Sequence, residues 1–99
     1  MLRGNLTKRL EDIRVELQRD REALRILDEQ VAFQEGVADE ATTTAIVAET
    51  PLAHRERREA DTDLQRLRRQ RDEVKQRVAA LVAEQDEILD RMVEQAGGQ

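Results

Sequence analysis

Two stripes of apolar residues, each recurring at alternating steps of three and four, constrain this chain more than any other feature. Leu6, Leu10, Ile13, Leu17, Leu24, Leu27 and Val31 form the first, and Leu64, Leu67, Val74, Val78, Leu81 and Ile88 form the second. Such spacing lines up side chains on one face of an α-helix and seats them against a facing helix. The two halves fit best when folded back on each other. The expected fold is therefore all-α: a long antiparallel two-helix coiled-coil hairpin, one domain over residues 1–99, with a short helix in the connecting tip segment.

The boundaries follow from capping chemistry. Asn5 after Gly4 is a plausible N-cap, and the first helix is expected over about 5–36, ending at Gly36 because glycine tolerates positive φ at a helix stop. The tip segment 37–50 is alanine-rich and contains Thr42, Thr43 and Thr44, a β-branched run that weakens helix propensity without forbidding it. A short helix is predicted at about 39–49, capped by Ala38 or Asp39, with Ala41, Ala45 and Ile46 turned inward. Thr50 before Pro51 is the strongest punctuation, since threonine caps and proline fits the first helical turn. The second helix is expected over about 51–95, with a frayed tail at 96–99.

Register is predicted by matching core positions of the two long helices. The favoured alignment pairs Leu10 with Leu81, Ile13 with Val78, Leu17 with Val74, Leu24 with Leu67 and Leu27 with Leu64, and sets Asp20 against Arg71 as a single buried polar layer. A shift of one heptad instead opposes Ile13 with Gln85, Asp20 with Val78, Leu27 with Arg71 and Gln34 with Leu64. Four apolar–polar mismatches count against it. In the favoured alignment one flank is complementary, Arg9 near Glu84 and Glu16 near Arg77. The other juxtaposes like charges, Arg14 near Lys75, Arg21 near Arg68 and Asp28 near Asp61. That ridge, Arg14, Arg21, Arg68 and Lys75, is either a solvated face or a site for an acidic partner.

The same alignment leaves both ends of the hairpin with apolar residues to cover. At the base, Ile88, Leu89 and Met92, with Val82 just inside, lack intrachain cover, which points to homodimerisation; the alternative is that Met1, Leu2 and Leu6 fold over them. Toward the tip, Ile26 and Phe33 lie one heptad apart on a face the seam does not use, followed by Val37. Ile46, Val47 and Leu52 are the natural cover, giving a three-helix cap, and a partner-binding apolar tip is the other reading.

Composition narrows the function class. Charged residues make up 39% of the chain and aromatics 1%, with Phe33 the only ring, a balance that suits solvated helices and leaves little for an enzyme pocket. The net charge of -5 disfavours nucleic-acid binding through bulk charge. Residues Arg66, Arg68, Arg69 and Arg71 read as a solvated face, because acids interleave them and no aromatic is present to stack on bases. Cysteine is absent, so neither a disulfide framework nor thiolate chemistry is expected. His54 has no neighbouring ligand set, catalytic pairs and phosphate loops are not found, and no cofactor or metal is predicted. No apolar run reaches the roughly 18 residues of a membrane span and no signal core is seen, so a cytoplasmic protein is expected. Arginine-over-lysine usage suggests a GC-rich, bacterial source.

Three partial resemblances add expectations. Asp39 and Glu40 on a helical hairpin give it an outline that resembles the transcription-cleavage and secondary-channel factors of bacterial RNA polymerase, whose acidic hairpin tip acts near the catalytic magnesium; this chain lacks their globular second domain. Ala96, Gly97, Gly98 and Gln99 resemble the ending of the prokaryotic ubiquitin-like protein, which implies a tail joined to substrate lysines, although that family is shorter and largely disordered. Length and hairpin form are similar to those of the small secreted helical-hairpin effectors of actinobacteria, but tryptophan and tyrosine are missing here. The leading expectation is a non-enzymatic coiled-coil interaction or scaffold module that self-associates through its base. The alternative is a small regulator that docks its acidic tip or basic ridge on RNA polymerase or another nucleic-acid machine.

Overall fold

A computed structural model describes residues 2–97, with side chains described from Gly4 onward. It is an all-α helical hairpin of two long helices, α1 (Leu2–Ala48) and α2 (Pro51–Gly97). The separate tip helix and the stop at Gly36 do not occur. Gly36 is exposed, has no positive φ, and a Cβ built on it would meet nothing within 4 Å, so it is an ordinary helical position. The threonine run stays helical by bonding back one turn: Thr42 Oγ1 donates to the Ala38 carbonyl at 2.9 Å and Thr43 Oγ1 to that of Asp39 at 3.1 Å. The second helix also reaches further than expected, with Gly97 inside it, while Gly98 and Gln99 of the Gly-Gly-Gln ending, and Met1, lie outside the described residues.

The reversal takes two residues. Glu49 adopts φ 52°, a left-handed conformation that ends α1, and its N–H donates to the Ala45 carbonyl at 3.0 Å. Thr50 caps α2, its Oγ1 accepting from the Ala53 N–H at 3.1 Å. Pro51 then starts the helix at the position where its missing N–H costs nothing. Threonine and proline act here as the sequence predicts.

Contacts divide the chain into two compact units, Leu24–Glu73 and the remainder on either side, up to Ala23 and from Val74. In the unit that contains the turn, Val31, Ala38, Ala60 and Leu64 form the buried cluster, with Val37, Ala41 and Leu67 packed against it. Ala45 and Ala53 are buried nearer the turn. Small side chains at these seam positions let two helices approach closely enough for so short a connection. A two-residue turn brings Ala45 opposite Ala53 and Ala38 opposite Ala60, one heptad away from the favoured sequence alignment.

The other unit shows the same displacement by its own contacts. Ile13, Leu17 and Ile88 are its buried centre, with Leu6, Leu10, Val78, Leu81, Val82 and Met92 packed around them. Ile88 is only 6% exposed. The displaced register places it opposite Leu10, with Leu17 opposite Leu81 and Leu6 opposite Met92. Asp20 and Arg71 do not form the predicted polar layer. Asp20 is 9% exposed and meets Arg77, Nε to Oδ2 3.7 Å, whereas the Arg71 guanidinium turns to Asp72, Nε to Oδ1 3.1 Å.

Three of the four polar residues that counted against this register, Asp20, Gln34 and Arg71, each find a polar contact. Gln34 Nε2 donates to the Ala60 carbonyl at 3.2 Å. Half-buried Arg71 lays its stem along the seam and carries its charge outward. Among the described residues no buried side-chain nitrogen or oxygen lacks a hydrogen-bond partner.

Two stability measurements check this account. Gly36→Ala should raise the unfolding free energy by about 0.5–1 kcal/mol in urea titration, because an exposed mid-helix glycine carries only its entropic penalty; a loss would mean that Gly36 ends a helix. Asp20→Leu should stabilise the fold by about 1–4 kcal/mol, since Arg77 is already largely exposed and the carboxylate is the desolvated partner.

Candidate interaction surface

Residues predicted to be exposed at the base are mostly covered within the chain. Ile88 is buried, and Val82 and Met92 pack against the cluster it belongs to, so the apolar base proposed for homodimerisation is not open. Leu89 remains exposed, as do Val93 and Val15 in this unit. Leu6 contributes to the cover, as the alternative reading expected; the side chains of Met1 and Leu2 lie outside the description.

The predicted tip cap is reversed. Because α1 runs straight to the turn, no third helix among the described residues covers Ile26 and Phe33, and the residues expected to do so are themselves in solvent. Phe33 is 75% exposed, Val47 80%, Ile46 69% and Leu52 60%, with Ile26 also exposed. Large apolar groups are thus held in water on this one unit.

Spacing organises these residues. Ile26, Gln30, Phe33, Val37, Glu40, Thr44 and Val47 recur on α1 at steps of four and three, a second stripe beside the seam stripe. One shallow groove on this flank is lined by Ile26, Glu29, Gln30, Phe33, Gln34 and Leu67. A neighbouring one is lined by Val37 and Ala41 from α1 and by Glu56, Glu59 and Asp63 from α2. Both grooves share Gln34, so they follow one another along the same flank. The apolar lining comes mostly from α1, with Leu67 and Ala60 from α2, and the acids of the second groove come from α2.

Ion pairing on this flank is incomplete. Arg66 reaches Asp63 at 3.6 Å and Arg25 reaches Glu29 at 2.8 Å. Glu56, Glu59 and Glu40 have no ion pair among the described residues. Three acids at 56, 59 and 63 recur at helix-neighbour spacing, an arrangement that is mildly repulsive by itself.

Asp39 and Glu40, expected at the tip, instead stand exposed on the shaft of α1, about 15 Å of helix before the turn. The chain reverses at Glu49 and Thr50, so the acidic-tip outline shared with the polymerase channel factors does not carry over to these two residues. The residues of the like-charged ridge are divided between the two units. Arg68 reaches Glu35 at 3.6 Å, Arg14 and Arg21 lie together beside a groove that includes Val15 and Arg19, and Lys75 is exposed in the same unit as these two. His54 is half-buried, one turn into α2, its N–H donating to the Thr50 carbonyl at 3.1 Å.

One flanking pair forms where the sequence places it. Arg9 and Glu84 make a forked contact across the two helices, Nε to Oε2 2.6 Å and Nη2 to Oε1 2.7 Å, with Glu16 3.6 Å from the same guanidinium. Hydrogen bonding from Arg9 holds the Glu84 carboxyl below its ordinary value of 4.5, and the same bonds hold the guanidinium more firmly protonated.

Among the described residues, no group of three or more histidines, cysteines or acids is arranged to hold a metal ion. No described helix is long and apolar enough to cross a membrane. Comparison with protein-family models, curated proteins and solved structures finds no match.

The forked pair sets a pH dependence of defined sign. A carboxyl whose folded pKa is lowered contributes stability that is fully present above its ordinary value and is lost as pH falls through the folded one. Thermal unfolding followed between about pH 6 and pH 3 should therefore lose less on acidification in Glu84→Gln than in the parent chain. Equal acid limbs in the two proteins would remove Glu84 from the account.

Proposed function

We propose that this chain is a non-enzymatic protein–protein interaction module that docks a partner on the exposed apolar flank of the unit containing the turn. The observation that carries the reading is the exposure of Phe33, the only Phe, Tyr or Trp of the chain, on a helical stripe with Ile26 and Val47. Folding alone gives no reason for it. The seam already buries an uninterrupted set of residues in this unit, and a 75% exposed phenylalanine adds little to it.

Interaction rather than chemistry fits what the surface offers. Its depressions are shallow and open, and their linings mix apolar side chains with amides and carboxylates, which suits helix docking more than enclosure of a small molecule. Self-association through the base has less to rest on, because Ile88 is buried and Val82 and Met92 are half-buried there, leaving Leu89 and Val93 exposed.

Two measurements together test the reading. Phe33→Ser should leave unfolding stability within about 0.5 kcal/mol of the parent, as for a surface position that makes no core contact. A photo-crosslinking phenylalanine analogue at position 33, introduced in the cells that naturally make the chain, should give a discrete protein adduct that the same analogue at exposed Arg69 does not give. Identical adduct patterns from the two positions, or a large destabilisation by Phe33→Ser, would overturn it.

A further inference from the structure

We infer that the partner segment is a basic amphipathic α-helix, laid along the second stripe of α1 with its Lys or Arg side chains against Glu56, Glu59 and Asp63 of α2. This deepens the docking reading above and rests on it. The stripe from Ile26 to Val47 alternates steps of four and three, which is the pattern a straight surface presents to another α-helix. It is about 30 Å long, matching roughly 20 helical residues. A partner of that length needs apolar residues at the same steps.

Charge selects among the possible occupants. Along this flank, Glu56 and Glu59 form no ion pair among the described residues and Asp63 shares Arg66 at 3.6 Å, while Arg55 and Arg58 line a further groove on the far side of Glu59 and Asp63. A second copy packed by the same flank would bring a second set of Glu40, Glu56 and Glu59 to the shared interface, and like charges gathered there select against that pairing. Phosphate backbones are repelled for the same reason. A helix carrying Lys or Arg beside its apolar stripe meets the acids of the second groove with opposite charge and relieves the repulsion among them, provided its basic side chains stay on the side away from Arg55 and Arg58. The apolar contact supplies affinity and the acids supply the choice of partner.

The test uses the full chain and two synthetic helical peptides of three heptads with identical Leu and Ile stripes, one flanked by lysine and the other by glutamate. Fluorescence anisotropy at moderate salt should show the lysine peptide binding about tenfold or more tightly than the glutamate peptide, with the difference shrinking as salt rises. Glu56→Lys with Glu59→Lys should reverse the preference, whereas Glu11→Lys with Asp12→Lys, the same charge change on another exposed surface, should leave it in place. Equal affinity for the two peptides, or an equal response to both double substitutions, would overturn the charge assignment while leaving the docking face standing. Lysine-peptide binding that survives Phe33→Glu would overturn the docking face itself. Sedimentation equilibrium adds one more outcome: a concentration-dependent dimer abolished by Phe33→Glu would assign the flank to a second copy and sink the basic-helix proposal.

Discussion

The place where the chain reverses direction decides everything else about this hairpin. An antiparallel pair of helices has one free parameter, the offset of one along the other, and a two-residue connection leaves almost no slack in it near the turn. Glu49 in a left-handed conformation, Thr50 as cap and Pro51 as first helical residue fix that point. From it follow the burial of alanines near the turn, the pairing of Arg68 with Glu35 and the absence of a third helix over Phe33.

Polar residues in the seam are the consequence of that choice, and they are handled individually. Gln34 satisfies itself on a main-chain carbonyl of the facing helix, Arg71 swings its charge to a neighbour on its own helix, and Asp20 keeps a loose contact with Arg77. None needs a matching polar residue directly opposite. A single buried acid–base layer is one way to hold a register, but long flexible side chains near a thin seam offer another. The forked Arg9–Glu84 contact is compatible with both alignments considered from the sequence, which is why it forms even though the core pairing expected beside it does not.

The helical hairpin was legible because leucine, isoleucine and valine repeat the heptad so plainly. The register was not, because the pattern changes residue size without changing its period. Val31, Gln34, Ala38, Ala41 and Ala45 continue the alternation of three and four through Gly36, and Ala53 and Ala60 answer from the other helix. Counting alanine as a seam residue would have carried the first helix to its true end and put the turn at the threonine–proline pair. A stop at Gly36 carries with it the tip helix and its cap over Phe33, whereas the open base follows from the alignment that sets Asp20 against Arg71. The second stripe on α1 was visible in part, through Ile26 and Phe33. Its acidic companions on α2 were not, since which flank of one helix lies beside which flank of the other depends on the register.

The proline has a further role that the hairpin alone does not reveal. Two long helices with matched seams could in principle exchange between molecules, each chain straightening into a single rod and pairing with another chain's halves. That rod would have to run helically through Pro51, where a ring replaces an N–H and crowds the preceding turn at a cost of about 3 kcal/mol per chain. Placed where it starts one helix and forbids the fusion of both, the residue guards the folded-back form against domain exchange.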